Sequence, residues 1–184
     1  MGTTPEFGFR FPELNDPANG PLAFENLALD VEARILQSAP LVGYKSANTA
    51  VSNSTTLVNA TGLSVTVGAN RVYLLDGFII NDTDNVAKIK FGWSVPSGCE
   101  VRWQMVAPWE GNNAQIEFLA VYSPGDPDHP YSQFGIAAGF QLAGTVITGA
   151  NGGTVQLRFA QNTARPINTT VNAGSWIRLQ EVPS

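Results

Sequence analysis

The amino-acid sequence predicts a mainly β protein, a jelly-roll-like antiparallel β-sandwich preceded by an extended N-terminal arm and one short α-helix. From about residue 54 onwards, runs rich in β-branched and aromatic residues alternate with turn-forming segments such as "GAN", "PSG" and "GANGG". This regular spacing is typical of β-sandwiches and jelly rolls. Charged residues make up only 14% of the chain. The remaining polar residues are mainly Asn, Thr, Ser and Gln, which suit exposed strands and turns better than exposed helices.

The first 21 residues form the predicted arm. They contain four prolines, which fix φ and lack a backbone donor, so neither a helix nor a central strand is expected here. The alternation in "FGFRF" places Phe7, Phe9 and Phe11 on one side of an extended chain. We expect these rings to dock on another protein, with docking on the chain's own β-domain as the alternative.

Helical periodicity follows the arm over residues 21–38. Pro21 suits the first helical position, where its missing N–H has no partner, and Pro40 ends the helix. A helix of this length is marginal alone in water. We therefore expect it to pack against the β-domain, copies of itself or a larger assembly. Its apolar residues recur at heptad spacing and form a seam: Phe24, Ala28, Val31 and Ile35, widened by Leu27.

These features divide the chain into an anchoring arm and helix, residues 1–40, and a β-domain, residues 41–184. Within the second region, residues 39–53 are interpreted as a linker that runs into the first strand. The segment "NDTDN" is interpreted as a hairpin turn between two strands. The residues expected to anchor the chain are all apolar: Phe7, Phe9, Phe11, Phe24, Leu27, Val31 and Ile35.

Side-chain alternation sorts most of the strand runs into one apolar and one polar face. In "AKIKFGWSV" this alternation places Trp93 in the core. The segments 71–80 and 134–147 are apolar on both faces, and a second apolar face requires cover. We expect the cover to be other copies of the chain in a closed homo-oligomer, with a loop or the N-terminal helix as the alternative. The assigned interface residues are Tyr73, Leu75, Ile79, Phe140, Trp176 and Arg178.

Several kinds of chemistry are not expected. The net charge is −5 and no cluster of lysines and arginines occurs, which argues against nucleic-acid binding. No apolar run reaches the ~18 residues that membrane insertion requires. The single histidine, His129, follows Asp126 and Asp128 on a proline-rich loop without the spacing of known metal sites. No nucleophile elbow or phosphate-binding loop is present. We therefore expect no enzyme activity, no catalytic residues, no metal and no cofactor.

Four stretches of the chain resemble small virion accessory proteins of tailed bacteriophages, of the minor tail or capsid decoration type. The N-terminal stretch is "FGFRFPELNDPANGPLAFENLALDVEARI", and the later ones are "VYLLDGFIINDTDNVAKIKFGWSVPSG", "GTVQLRFAQNT" and "AGSWIRLQEV". The resemblance implies a virion structural protein with a trimeric jelly-roll domain similar to tumour-necrosis-factor and complement C1q heads. It implies no catalytic residues.

The leading hypothesis is a non-enzymatic virion accessory protein, assembled in the host cytoplasm. The N-terminal arm would attach it to a tail or major capsid protein, and a trimeric β-domain would be displayed as a minor tail or host-contact protein. Its loop residues Tyr122, His129 and Tyr131 are candidate contacts for a host cell-surface glycan. The alternative is a capsid decoration protein that stabilises the shell. A stand-alone carbohydrate-binding β-sandwich is a remote third hypothesis.

Overall fold

A computed structural model of the chain describes residues 2–5, 7–13, 20–108, 116–118, 129–131 and 138–183. The chain divides into two compact units, Met1–Ala39 and Pro40–Ser184. In the first unit, strand β1 (Gly2–Thr3) pairs antiparallel with β2 (Arg10–Phe11), and helix α1 spans Gly20–Ser38. The helix begins one residue earlier than the sequence predicted.

The N-terminal arm reverses direction between β1 and β2. Gly8 adopts a left-handed φ of 67°, which costs glycine little. Its N–H donates to the Thr4 carbonyl over 2.9 Å, and the Thr4 N–H donates to the Phe9 carbonyl over 3.0 Å. The three phenylalanines therefore do not line one uninterrupted extended segment, a detail that the alternation in "FGFRF" did not reveal.

The second unit is an antiparallel β-sandwich. One sheet has the order β10-β7-β12-β5, and the other has the order β3-β14-β6-β11-β8-β9, with β13 pairing β6 and β4 pairing β13. The strands are β3 (Leu41–Tyr44), β4 (Thr49–Val51), β5 (Val58–Val67), β6 (Val72–Asp82), β7 (Ile89–Ser94), β8 (Glu100–Pro108), β9 (Ile116–Phe118), β10 (His129–Tyr131), β11 (Ala138–Ile147), β12 (Gly153–Gln161), β13 (Thr169–Val171) and β14 (Trp176–Glu181).

The strand pairings are nested, as in a jelly roll. The outermost pair is β3 with β14, followed inward by β4 with β13, β5 with β12, β6 with β11, and β7 with β10. The first two pairs lie in the larger sheet, and the three inner pairs alternate between the two sheets. One long antiparallel hairpin is thus wound around a common core. Strands β8 and β9, which lie between β7 and β10 in the sequence, extend the larger sheet beyond β11. The predicted jelly-roll-like sandwich is confirmed.

The core lies between the two sheets and is built from their inward-facing side chains. Phe91 of β7 and Phe140 of β11 make an edge-to-face contact, with ring centroids 5.9 Å apart. Trp93 meets Trp103 in the same geometry at 6.0 Å. Trp93 packs against the core, as its alternation predicted.

Two local interpretations of the sequence were wrong. Residues 39–53 are not a linker, since β3 and β4 lie there and β3 pairs with the last strand, β14. The segment "NDTDN" is not a hairpin turn, because β6 and β7 belong to different sheets. Both errors concern which strands pair across the fold, and alternation within a segment carries no information about that.

Candidate functional site

The outward-facing side chains of β3, β14 and β6 form an exposed apolar surface, here called the outer sheet face. Along β6, exposed and buried residues alternate. Leu74 is 55% exposed, whereas its neighbour Leu75 is buried. The large apolar side chains exposed on this face are Val42, Tyr44, Val72, Leu74 and Phe78.

Strand register organises this face into rows. Trp176 of β14 lies opposite Tyr44 of β3 on one side and Phe78 of β6 on the other, giving three aromatic residues across three strands. In the next row Arg178 lies between Val42 and Asp76. Directly opposite residues in a sheet are close enough for their side chains to interact. The face therefore presents an aromatic row beside a charged one.

Ion pairs interrupt the apolar surface. Arg178 donates to both carboxylate oxygens of Asp76, over 2.9 Å from Nε and 2.6 Å from Nη2. The hydrogen bonds that Arg178 donates to Asp76 raise the pKa of Arg178. On the outward side of β8, Arg102 pairs with Glu100, and this contact raises the pKa of Arg102 in the same way. Each pair contributes one charge of each sign to the surface.

The outward face of the smaller sheet differs in composition. Its positions on β7 and β12 include Lys90, Ser94, Gln156 and Arg158, while the apolar side chains of these strands are buried. Gln156 donates through Nε2 to the backbone carbonyls of Ala60, Leu63 and Leu157. This polar face is typical of a sheet side that contacts water. Of the two sheets, the larger one carries the apolar outer surface.

Four of the predicted interface residues face inward, so their assignment to an interface is wrong. Tyr73, Leu75, Ile79 and Phe140 are buried in the core of their own sandwich. Both faces of residues 71–80 are apolar, and the prediction took the inner face for the outer one. Trp176 and Arg178 do lie on the outer sheet face, since Ile177 and Leu179 between and beyond them are buried. Their role in an interface stays a prediction.

Val42 and Tyr44 belong to the outer sheet face but were missed by the sequence analysis. The segment that holds them was interpreted as a linker. In "LVGYK", the exposed Val42 and Tyr44 alternate with the buried Gly43, which is a strand pattern. The strand itself, Leu41–Tyr44, is only four residues long. Gly43 is needed because a Cβ atom there would lie 2.9 Å from the backbone of Ser64.

In the first unit, the hairpin is fixed to the helix by two arginines. Arg10 donates to Asp30 from its backbone N–H over 2.8 Å and from Nη2 over 2.8 Å. Hydrogen bonds from Arg10 lower the pKa of Asp30, and the same contact raises the pKa of Arg10. Arg34 donates from Nη2 to the Phe7 carbonyl over 3.0 Å. The helix and the hairpin therefore form one unit.

The predicted anchoring residues are largely exposed on this unit. Phe24 is 75% exposed and Ile35 is 62% exposed. Phe9 is half-buried and stacks on Phe7, with ring centroids 5.7 Å apart. The other exposed members of the set are Phe7, Phe11, Leu27 and Val31.

The predicted glycan-contact loop is described only in part. Tyr122 lies outside the described residues. The backbone of β10 places His129 opposite Phe91 and Tyr131 opposite Ile89. Within the described part of the chain, no group of three or more His, Cys, Asp or Glu residues could hold a metal ion. Among the same residues, no helix has the length and apolar character needed to span a membrane.

Comparison with known proteins adds little. No protein-family model and no curated protein matches the chain. It is similar to the VP2 subviral particle of infectious bursal disease virus at 10% identity and a TM-score of 0.20, over 79% of this chain and 41% of that one. The Gt strain of the same virus gives 12% identity and a TM-score of 0.19, over 78% and 41%. The chain thus spans about two fifths of these proteins, and at such TM-scores the likeness carries no argument.

Proposed function

We propose that the chain is a non-enzymatic structural accessory protein of a tailed-phage virion. The observation that carries this proposal is the presence of an exposed apolar surface on each of its two units, the helix seam on the first and the outer sheet face on the second. Exposed apolar surface of this extent usually marks a binding site. A chain with two such surfaces is suited to holding an assembly together. The resemblance of its sequence to phage accessory proteins supports the virion as that assembly.

The outer sheet face is the proposed contact between copies of the chain, which form a trimer. Its five large apolar side chains expose on the order of 500 Å² together. With a polar rim this approaches the roughly 800 Å² that each partner contributes to a stable interface. Because Arg178 and Asp76 bring one charge of each sign, one part of this surface can complement a different part of it on the next copy around a three-fold axis. Cyclic symmetry then closes the assembly.

The N-terminal unit is the proposed attachment to the particle. Its hairpin and helix are already held together by Arg10 and Asp30 before any partner binds. Preorganisation of this kind reduces the entropy lost on binding. The trimeric jelly roll is then displayed as a minor tail protein that contacts the host through the region that includes Tyr122, His129 and Tyr131, of which His129 and Tyr131 lie on β10 and not on a loop.

Phage particles assembled without this chain test the proposal. We expect them to adsorb to host cells more slowly than wild-type particles while keeping the same heat resistance. Adding the purified protein should restore adsorption. Particles with wild-type adsorption and wild-type heat resistance, to which the added protein does not bind, would overturn the proposal.

Capsid decoration is the competing location, favoured by the same exposed anchoring surface. A decoration protein stabilises the shell by binding its assembled form. If particles lacking the chain adsorb normally but release their contents at a lower temperature, the protein is a decoration protein and not a host-contact protein.

A further inference from the structure

We propose that helix α1 docks into an apolar groove with a rim of lysines or arginines on another protein of the particle, and not onto copies of itself. This inference rests on the proposed virion function and names the chemistry of the partner. It follows from the position of the seam on the helix and from the charges beside it.

The seam is available because the hairpin occupies a different side of the helix. The hairpin contacts Asp30 and, through Arg10 Nη2, the Asn26 carbonyl over 3.4 Å. Val31 of the seam is displaced from Asp30 by about 100° around the helix, the rotation of a single residue, and Phe24 is displaced from Asn26 by about 160°. Phe24, Ala28, Val31 and Ile35 are all exposed. An exposed row with this spacing is the pattern by which a helix enters a groove.

The charge beside the seam is negative. Glu25 and Glu32 follow Phe24 and Val31 by one residue each and are seven residues apart, so both lie along the same edge of the seam. Both are exposed, and the structure gives neither an ion pair among the described residues. The nearby charged residues Asp30 and Arg34 already bond to the hairpin.

A copy of the same helix does not complement this edge. In parallel heptad packing, Glu25 and Glu32 would face Gly20 and Leu27 of the neighbour, which carry no charge. In antiparallel packing the glutamates would face one another and repel. The outer sheet face, in contrast, carries both signs of charge. The helix edge therefore fits a foreign surface with positive side chains.

Binding to particles assembled without this chain measures the effect of the charged edge. We expect wild-type protein to bind them with an affinity that falls as salt concentration rises. Glu32→Gln should weaken binding several-fold and Glu32→Lys by about tenfold or more. Thr66→Lys, an exposed position on β5 of the other unit, changes net charge as much as Glu32→Gln does and should bind like wild type.

The outcomes separate this inference from the proposed function. Particles that fail to take up even the wild-type protein contradict the proposed function. Particles that bind wild type, Glu32→Lys and Thr66→Lys equally well contradict only the inference that the groove has a rim of lysines or arginines. A second measurement addresses self-docking: Ile35→Ser should leave the sedimentation mass of the free protein unchanged. A lower mass would mean that the seam contacts copies of the chain, and the inference would be wrong.

Discussion

Leu74 and Leu75 are adjacent on β6 but lie in opposite environments. Leu75 is 2% exposed in the core, whereas Leu74 is exposed on the outer sheet face. Leu75→Ala should lower the free energy of unfolding by about 2–5 kcal/mol, because it leaves a cavity between the sheets. Chemical denaturation at low protein concentration measures this change.

Leu74→Ala is the matched control for the buried leucine. In the monomer it removes an exposed side chain, so we expect a change in unfolding free energy within about 0.5 kcal/mol. If the two variants lose the same stability, the assignment of the inner and outer faces of β6 is wrong.

Lys45 is a fully buried lysine. Its amino group donates to Thr49 Oγ1 and to the Thr61 carbonyl, and burial lowers its pKa from the ordinary value of 10.5. The unfolded chain therefore binds this proton more tightly than the folded chain. Stability should rise with pH from the lowered pKa up to about 10.5, and the cost of burying the charge applies fully below that window.

Lys45→Met removes this titration. We expect the unfolding free energy of wild type, measured relative to the variant, to increase as the pH is raised from 7 towards 10. Urea denaturation at several pH values tests the trend. If the difference in unfolding free energy between wild type and Lys45→Met is constant with pH, or shifts in favour of the variant as the pH rises, the pKa of Lys45 is not lowered in the folded chain.

At the residue scale, the sequence could predict which segments were apolar on both faces but not which face was inner. In a strand with one wet side, alternation alone identifies the core-facing residues, as it did for Trp93, which packs partly buried against the core. In β6 apolar residues occupy both faces, so alternation in the sequence does not show which face points into the core. The direction is set by the neighbours β14 and β11, which approach from distant parts of the chain.

At the scale of elements, the contact between the hairpin and helix α1 depends on Asp30. Asp30→Ala removes the acceptor of the Arg10 side chain and of its backbone N–H. We expect hydrogen exchange of the amides of α1 and of the hairpin to become several-fold faster, because the helix loses its packing partner. Hydrogen exchange followed by mass spectrometry measures the change.

Glu32→Ala is the control on the same helix, since it also raises helix propensity, though by less than Asp30→Ala does, without removing a contact to the hairpin. Exchange in this variant should match wild type or be slower. Because the pKa of Asp30 is lowered, the contact is fully present above the ordinary value of 3.8. It should be lost as the pH falls through the lower folded value. Equal exchange in both variants at pH 7 would contradict the contact.

Element boundaries followed local signals where those were strong. The long strand β6 begins within the predicted segment 71–80 and runs two residues beyond it, and α1 was predicted to within one residue at its start. The short strands β3 and β13 were missed, since three or four residues give too brief a pattern and their stability comes from pairing with β14 and β4. The reversal at Gly8 was missed because so short a turn also gives too brief a pattern.

At the scale of the whole molecule, the jelly roll could be predicted from strand spacing, but its nested pairing could not. The pairing of β3 with β14 joins the two ends of the domain, and no local pattern records it. The same nesting brings Tyr44, Trp176 and Phe78 into one row. The candidate interface is thus a product of topology, which explains why four of the six predicted interface residues were assigned to the wrong side of the sheet.

Sedimentation equilibrium of the full chain at micromolar concentration tests the central claim, that the outer sheet face joins copies of this protein. We predict a mass of three 19.6 kDa chains for wild type. Leu74→Asp, which places an unpaired charge in that face while leaving the core intact, should give the mass of a single chain. A single-chain mass for wild type, or a trimer that persists in Leu74→Asp, would contradict the claim.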